Sequence, residues 1–492
     1  MIPNVALLYS ALMSTTDQST VAGVSPQAAK LGGRVAGLLA VLCAAFFLDA
    51  LDTSMVAVAL PTIQHALDMS LSQLQWVVSG YVLGFGGFLL LGGRAADLLG
   101  RRKVFLIALL GFFFMSGLGG VATSGEMLIA SRFLKGIAAG FTAPAGLSII
   151  LGSFPEGPVR NRALAIYSST GAAGFTFGLI SGGLLSEVGW RWVFFMPTIV
   201  AGLILLAAPR LIPADVRADG RRQKMDIPGA VTVTIAMLLL VFTLTEAPGV
   251  GWASARTILS LIGVAALLAL FVRIEQRHHS PHLPLSLLKS WPRVRANLGV
   301  MAFVGGWAAA QFMATLYMQE TRGWSALATA GAFWPCGVLG LFIAPRLEKF
   351  IGRFGVQRVL AFGLLLTVVA YLLFLPIGMH SGYWTALFPT FTLIGIAFAL
   401  CFSTLSITAT TDVEPSQQGV ASGLFQTSAQ FGTALLVAIT TAVNQAAASH
   451  GSAAGALRGY HAALLVPLIA GAAVLLLTLP ASFRKHTTAP AQ

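Results

Sequence analysis

The sequence predicts an all-α integral membrane protein with fourteen transmembrane helices. The chain of 492 residues is 56% hydrophobic and only 10% charged, whereas soluble domains carry about 25% charged residues. Fourteen stretches are apolar over about 20 residues, the length that a helix needs to cross a bilayer. No segment alternates polar and apolar residues with a period of two, which excludes a membrane β-barrel.

The predicted spans follow one another with only short loops between them. In chain order they cover 36–59, 74–93, 104–123, 127–149, 164–186, 193–212, 228–246, 256–272, 298–318, 327–345, 357–377, 383–408, 418–443 and 461–481.

Basic residues test this count independently, because Lys and Arg collect in short cytoplasmic loops. With the N-terminus inside, the even-numbered loops and the two tails hold 24 of the 30 basic residues. The outer loops hold four: Arg191, Arg256, Arg322 and Arg458. The net charge of +13 therefore reflects topology, with both termini cytoplasmic. Nucleic-acid binding is not expected, since it requires basic residues gathered on one soluble face.

Residues 1–35 lack the features of a signal peptide and are predicted to be a cytoplasmic tail, with Met13 as an alternative start. Residues 482–492 form the second tail. Cys43, Cys336 and Cys401 are too scattered for a disulfide or metal framework. A polar loop carries a histidine cluster, interpreted as a solvated linker with metal binding as the alternative: His278, His279 and His282.

No phosphate-binding Gly-x-x-x-x-Gly-Lys-Ser/Thr loop and no Gly-x-Ser-x-Gly elbow occurs in the sequence. The chain thus has no visible means of hydrolysing ATP or forming a covalent intermediate. We expect a protein that is not an enzyme and that needs neither a cofactor nor a metal.

Charged residues inside predicted spans are the strongest functional signal, because each costs at least about 2.5–3.5 kcal/mol at mid-membrane. Asp49 and Asp52 lie on one face of span 1, and Arg132 and Lys135 lie on one face of span 4. Counting about 1.5 Å per residue places the two pairs at similar depth. If the spans face each other, the four residues form a buried cluster.

We expect one carboxylate, Asp52 first and Asp49 second, to exchange a proton during transport. Burial favours the neutral form of a carboxylate and a nearby cation favours the charged form, so small movements of Arg132 would switch proton affinity. The alternative is a permanent ion pair that only orients the two spans.

The loop between spans 2 and 3 combines charges with glycines. Asp97 and the basic residues Arg101, Arg102 and Lys103 can pair with each other or with a neighbouring helix end, while Gly93 and Gly100 permit close backbone approach. Such contacts can form in one conformation and break in another. The alternative is positive charge that serves topology alone.

With these residues the chain resembles the major facilitator superfamily, and among its branches the fourteen-helix drug:proton antiporters. The loop matches the pattern Gly-x-Leu-x-Asp-x-x-Gly-Arg-Lys/Arg, with Ala95 in the Leu position, at Gly93, Asp97, Gly100, Arg101 and Arg102. Residues 51–61 resemble the branch's Leu-Asp-x-Thr motif, and 132–136 resemble its Arg-x-x-Gln-Gly motif. Span 5 carries the glycine motif: Gly171, Gly174, Gly178, Gly182 and Gly183.

The resemblance implies a major facilitator fold with a 6 + 2 + 6 arrangement of helices. A six-helix bundle would cover 36–212, a linker with two inserted helices 213–290, and a second six-helix bundle 291–481. One bundle would rock against the other around a cavity at the midplane. Residues 345–355 weakly echo the basic loop in the second half, as an internal repeat predicts.

Three residues depart from the family pattern. Lys135 stands where Gln is usual, Leu179 replaces the proline of the span 5 signature, and Ala57 replaces a usual Asn. The fold is not threatened, but coupling and substrate charge are left open: Lys135 either neutralises Asp49 or attracts an anionic substrate.

Polar and aromatic positions well inside spans are the candidates for the substrate cavity. They are Gln75, Trp76, Tyr81, Trp307, Gln311, Trp334, Gln426 and Gln430. For Trp76 and Trp334, anchoring at the membrane interface is an equal alternative. Glu246 and Glu320, near outer helix ends, are either solvated charges or an outer cation site.

The predicted function is export of amphipathic drugs or antibiotics across the bacterial inner membrane in exchange for protons, by a monomer in the lipid bilayer. The alternative is a dedicated metabolite transporter, working by symport or uniport, in which the buried charges are structural. A sensor or scaffold is disfavoured because it needs no buried charges and usually has a soluble output domain.

Overall fold

The computed structural model describes most of the chain, and every regular element in the described part is helical. The described residues are 33–155, 157–214, 227–277, 287, 289–343, 346–414, 417–448 and 453–482. The predicted all-α class is confirmed. Most of the two tails and the histidine cluster lie outside the described residues.

In the described part of the first half there are eight long helices. They are α1 (Gly33–Leu67), α2 (Leu71–Leu99), α3 (Arg101–Gly120), α4 (Gly125–Ser153), α5 (Pro158–Val188), α6 (Trp192–Leu211), α7 (Ile227–Val250) and α8 (Ala255–Arg277). Local sequence sets their ends. Ser70 Oγ accepts a hydrogen bond from the backbone amide of Gln73 at 3.2 Å, and Gln73 Oε1 accepts one from the backbone amide of Ser70 at 2.9 Å. This capping box starts α2.

The second half contains shorter and interrupted helices. They are α9 (Trp291–Leu316), α10 (Ala326–Ala332), α11 (Trp334–Ile343), α12 (Leu347–Phe354), α13 (Val356–Phe374), α14 (Phe388–Thr410), α15 (Gln418–Ala447) and α16 (Ala453–Ser482). A π-helical turn extends α9 over Tyr317–Thr321, and another precedes α14 over Tyr383–Leu387.

Among the described residues, twelve helices are long and apolar enough to cross a membrane, so the predicted count of fourteen is not confirmed. The tenth predicted span is divided into α10 and α11, where Pro335 lacks the amide that a continuous helix would require. The thirteenth corresponds to α15, a 30-residue helix that is rich in Gln and Thr and therefore less apolar. The first helix is longer than its predicted span, because Pro61 lies within α1 and does not end it.

Helix packing places the first and second halves side by side. In the first half, α1 packs on α5 and α6, and α2 packs on α4. In the second, α9 packs on α15 and α16, and α14 packs on α13. Between the halves, α2 contacts α15 and α5 contacts α10, while α7 lies against both α2 and α15.

Candidate functional site

Three of the four charged residues predicted to meet are in direct contact, with Asp52 at the centre, and Asp49 is connected to them through Tyr81. Arg132 Nη1 donates to Asp52 Oδ2 at 2.6 Å, and Lys135 Nζ donates to Asp52 Oδ1 at 2.5 Å. The exposed fraction of Asp52 is 0%, that of Arg132 is 2% and that of Lys135 is 1%. Both oxygens of this carboxylate are thus occupied by different cations of α4.

Each cation has a further partner from a neighbouring helix. Arg132 Nε donates to the Val77 carbonyl oxygen at 3.1 Å, and its guanidinium carbon lies 4.2 Å from the centre of the Tyr81 ring. Lys135 Nζ donates to Ser116 Oγ at 2.7 Å. The cluster therefore joins α1, α2, α3 and α4. Charges at this depth persist when they are paired and hydrogen-bonded in this way.

Asp49 has a different environment from Asp52. The Tyr81 hydroxyl donates a short hydrogen bond to Asp49 Oδ1, and the Asp49 side chain borders a cavity of about 10 Å³. Apolar side chains line most of this cavity, and Thr142 and Tyr167 contribute polar groups. A volume of about 10–15 Å³ is the minimum that holds one water molecule.

The span 5 glycines allow α5 to approach α1 closely. A Cβ atom at Gly178 would overlap Ser54 Oγ and the Leu51 carbonyl, and one at Gly182 would lie 2.7 Å from Met55 Cα. Gly174 meets the Phe47 backbone in the same way. Small residues on a helix face permit close packing of this kind.

Gly183 faces the second half instead, where an added Cβ would lie 2.8 Å from Ala330 Cβ of α10. Glycines also allow α2 and α4 to pack closely, a contact that the sequence analysis did not predict. Gly136 and Gly140 of α4 lie against backbone atoms of α2, and Gly84 of α2 lies against backbone atoms of α4. The Gly-x-x-x-Gly spacing of 136 and 140 was the available signal.

The basic loop fastens helix ends within the first half. Gly100 separates α2 from α3 with φ 100°, a conformation that favours glycine. Asp97 Oδ1 lies 3.6 Å from Arg101 Nη2. Arg101 Nη1 donates to the Ser148 carbonyl at 3.0 Å, at the end of α4.

Arg102 Nη2 donates to the Pro209 carbonyl at 2.7 Å, at the end of α6. Gly93 makes only an ordinary contact, 3.7 Å from an added Cβ to Pro144 Cβ. The loop residues thus bind both each other and neighbouring helix ends, the two options that the sequence indicated.

At the opposite ends of these helices, side chains connect the two halves. His65 Nε2 lies 2.8 Å from Glu320 Oε1, and Gln319 Nε2 donates to the Val58 carbonyl at 2.9 Å. Gln445 Nε2 donates to a serine hydroxyl at the start of α2 at 3.3 Å. Glu320 is therefore bonded to a histidine. No sequence signal paired these residues, because they are more than 250 positions apart.

The predicted cavity residues of α2 have polar partners or lie beside the charge cluster. Gln75 is buried, donates to Ser79 Oγ at 2.5 Å and accepts from Thr245 Oγ1 of α7 at 3.2 Å. Trp76 is half-buried. Tyr81 belongs to the charge cluster already described.

The second-half candidates divide into buried and exposed positions. Trp307 and Gln311 are each 6% exposed on α9, and Gln311 Nε2 is buried without a hydrogen-bond partner, as is Thr315 Oγ1 one turn further on. Trp334 is 44% exposed, Gln426 is exposed and Gln430 is half-buried. The second-half candidates therefore differ in burial, and their assignment to a substrate cavity stays a prediction.

Comparison with known proteins gives consistent matches along the chain. The family model for the Major Facilitator Superfamily matches residues 42–437. The puromycin resistance protein pur8 of Streptomyces alboniger is 35% identical over 457 residues, covering 89% of this chain and 89% of that protein. The cephamycin export protein CmcT of Amycolatopsis lactamdurans is 34% identical, covering 82% and 84% respectively.

A third relative, the tetracenomycin C resistance and export protein of Streptomyces glaucescens, is 32% identical and covers 87% of this chain and 79% of its own. Among solved structures, a D-xylose-proton symporter matches with a TM-score of 0.65 and 14% identity, covering 90% of this chain and 97% of its own. The peptide transporter POT in complex with sulfate matches with a TM-score of 0.65 and 15% identity, covering 91% and 94%. At such identities the structural likeness concerns the fold alone.

Proposed function

The chain belongs to the major facilitator superfamily of membrane transporters, and on that premise we propose that it exports amphipathic drugs or antibiotics in exchange for protons. The substrate class is supported by relatives whose names describe puromycin resistance, cephamycin export, and tetracenomycin C resistance and export. The exchange for protons is supported by the charge cluster in the first half of the protein.

The observation that carries the proton exchange is the pair of unlike carboxylates, three residues apart on α1. Asp52 has both oxygens bonded to cations and no exposed surface. Asp49 is bonded to a neutral phenol and borders a small cavity. Two carboxylates with different surroundings can divide their roles, one fixed as a charge and one able to exchange a proton.

The contacts favour Asp49 over Asp52 as the exchanging group, the reverse of the order expected from sequence. A proton on Asp52 would remove the charge that pairs with both Arg132 and Lys135, which opposes its protonation. A proton that arrives at Asp49 changes only its bond with Tyr81, whose ring contacts the Arg132 guanidinium. In this proposal Asp49 carries the proton, Tyr81 relays the change, and Arg132 and Lys135 keep Asp52 charged.

The cavity beside Asp49 supports proton exchange at this carboxylate, because its volume is close to the minimum that holds one water molecule. Thr142 and Tyr167 line it together with Asp49, and one water molecule at this position would have hydroxyl groups as hydrogen-bond partners. A proton entering down the membrane potential contributes about 2.3 kcal/mol per 100 mV to each turnover.

For topology we propose fourteen spans in a 6 + 2 + 6 arrangement, with both termini in the cytoplasm of a bacterial cell. The helix α15 packs on α2, α9 and α16, as expected of a spanning helix inside a bundle. The pair α10 and α11 packs on α5 and α14. The 24 of 30 basic residues in the predicted inner loops and tails support the orientation.

Alternating access is supported by the contacts at the outer helix ends. His65–Glu320 and the bond from Gln319 to α1 hold the halves together on that side. Their rupture would open the protein outward. The basic loop is proposed as a conformational switch, since Arg101 and Arg102 bind carbonyl oxygens that move if the helix ends separate.

We propose that the substrate binds to the faces of α2, α9 and α15 on which the candidate cavity residues lie. Gln311 supports this most directly, because its buried amide nitrogen lacks a partner and a polar group of a substrate would satisfy it. The span 5 glycines are proposed to let α5 slide on α1. The protein is proposed to act as a monomer without a cofactor.

A dedicated metabolite transporter, working by symport or uniport, is the second candidate. The observation that favours this candidate is the complete pairing of Asp52 with Arg132 and Lys135. Such a cluster can serve only to join helices. In that case neither carboxylate would exchange a proton during transport.

The experiment that tests the proposal is proton release from purified protein in weakly buffered detergent on addition of puromycin or lipophilic cations. We expect release from the wild type and none from Asp49→Asn. The matched control is Asp68→Asn, which changes an exposed carboxylate at the end of α1 and should release normally. A substrate that binds without releasing protons from the wild type would refute proton exchange and favour the metabolite transporter.

A further inference from the structure

The short helix α12 has three different faces. Leu347 is only 7% exposed and packs with Val359 of α13 and Leu400 of α14, and Ile351 lies against the same group. Because successive residues are about 100° apart around a helix, Leu347 and Ile351 define one inward face. The helix is thereby fixed where α11 ends and α13 begins.

Beside this inward face lies an exposed apolar flank. Phe350 and Phe354, one helical turn apart, are 43% and 44% exposed, and Phe342 at the end of α11 is 59% exposed. Single exposed apolar residues are ordinary. In the proposed orientation these three phenylalanines lie at the boundary between membrane and water, where contact with lipid explains their exposure.

The next face around α12 is basic. Arg346, Lys349 and Arg353 are exposed on it, while Glu348 lies on the far side beyond Gly352. The described segment Leu347–Phe354 and the preceding Arg346 carry three positive charges and one negative charge. The order of faces is therefore core, phenylalanine, then basic.

These basic residues differ from those of the loop between α2 and α3. Arg101 and Arg102 donate to carbonyl oxygens of α4 and α6. Arg346 Nη1 donates to the Phe342 carbonyl at 2.6 Å, a residue one helical turn earlier in the chain. The guanidinium carbon of Arg353 lies 5.3 Å from the centre of the Phe354 ring. The basic face of α12 thus points outward with its phenylalanines.

We propose that α12 is a binding surface for anionic phospholipids of the inner leaflet. Phe350 and Phe354 enter the boundary between acyl chains and headgroups, and Arg346, Lys349 and Arg353 bind the lipid phosphates. An apolar flank beside a basic face is the pattern that holds a helix in the plane of an anionic membrane surface. The inference depends on the proposed orientation and is independent of the transported substrate.

The binding would fix the cytoplasmic ends of α11 and α13, which α12 connects. Because both helices belong to the second half, the lipid would anchor that half to the leaflet. The first half, whose basic loop is bonded to its own helices, would remain the part that moves.

The test measures binding of phosphatidylglycerol to the full-length protein in mixed micelles by native mass spectrometry, with phosphatidylcholine as the neutral reference. For Lys349→Gln/Arg353→Gln we expect an affinity for phosphatidylglycerol about 30-fold lower, since each basic residue near an anionic surface contributes about 1 kcal/mol. The affinity for phosphatidylcholine should not change. Phe350→Ser/Phe354→Ser should weaken binding of both lipids.

The matched control is Arg273→Gln/Arg277→Gln, which removes the same charge from exposed positions at the end of α8 on the same predicted side. This control should retain wild-type phosphatidylglycerol binding. Equal losses in control and test variants would overturn the proposal, because they would show nonspecific charge attraction. Binding of inorganic phosphate alone with similar affinity would also overturn it. Neither result depends on transport activity.

Discussion

Replacement of Asp52 by Asn tests whether its charge is structural. The Asp52 oxygens accept bonds at 2.5 and 2.6 Å from Lys135 and Arg132, and none of the three side chains is more than 2% exposed. The change would leave two buried cations facing a neutral amide. Because removal of one partner of a buried ion pair costs about 3–5 kcal/mol, we expect a loss of stability in this range.

The remaining contacts decide where in that range the effect falls. Arg132 keeps the Val77 carbonyl and Lys135 keeps Ser116, so neither cation loses all of its partners. Asp49→Asn should differ sharply, since its amide oxygen can still accept from Tyr81 and no charge is stranded. The loss of stability is expected to stay within about 1 kcal/mol.

The assay is thermal unfolding of each purified variant in detergent, together with the monodisperse fraction on size exclusion. We expect Asp52→Asn to unfold several degrees below the wild type and Asp49→Asn to unfold with it. The double variant Asp52→Asn/Lys135→Gln, which removes one stranded cation, should recover part of the loss. If Asp52→Asn unfolds like the wild type and alone abolishes proton release, the assignment of roles to the two carboxylates is wrong.

Three further predictions concern other contacts. Gly178→Ala should destabilise the protein by about 1–3 kcal/mol through overpacking, whereas Gly331→Ala, with no atom within 4 Å of an added Cβ, should unfold with the wild type. Glu320→Ala should remove the bond to His65 and raise the population of the outward-open state. This would be seen as longer distances between spin labels at the outer ends of α1 and α9, whereas unchanged distances would show that the bond does not hold the two halves together. Tyr81→Phe removes the hydroxyl that donates to Asp49. It should alter proton release while the melting temperature stays within a few degrees of the wild type. Unaltered release would contradict the proposed role of Tyr81 between Asp49 and Arg132.

Most of the fold follows from local features of the sequence. In the part of the chain that the structure describes, twelve helices meet the criteria of length and apolarity that define a membrane span, and those features are readable without tertiary information. The exceptions depend on context. The apolar stretch at 327–345 contains Pro335, where the structure begins a new helix. The helix α15 is too polar for this criterion because it carries several Gln and Thr residues, and its threonines are buried inside the protein.

The candidate site was predictable in composition but not in pairing. Depth along α1 and α4 indicated that Asp49, Asp52, Arg132 and Lys135 would lie at one level. Rotation about each helix axis decides which carboxylate meets which cation, and it is set by packing. Close contacts such as Gly136 of α4 on the Tyr81 carbonyl of α2 fix that rotation, and they are not visible in a single sequence.

If the proposed proton exchange at Asp49 is correct, α1 is the helix that connects it to the second half of the protein. Among the described residues, every hydrogen bond within the cluster comes from the first half. The same helix α1 carries Val58 and His65, which contact Gln319 and Glu320 of the second half. The proposal therefore predicts that a change at Asp49 is coupled to these outer contacts through α1, and double-mutant cycles between Asp49 and Glu320 would measure that coupling. Lys135 supports the proposed division of roles, since it keeps Asp52 paired and leaves Asp49 as the carboxylate on α1 that is proposed to exchange a proton.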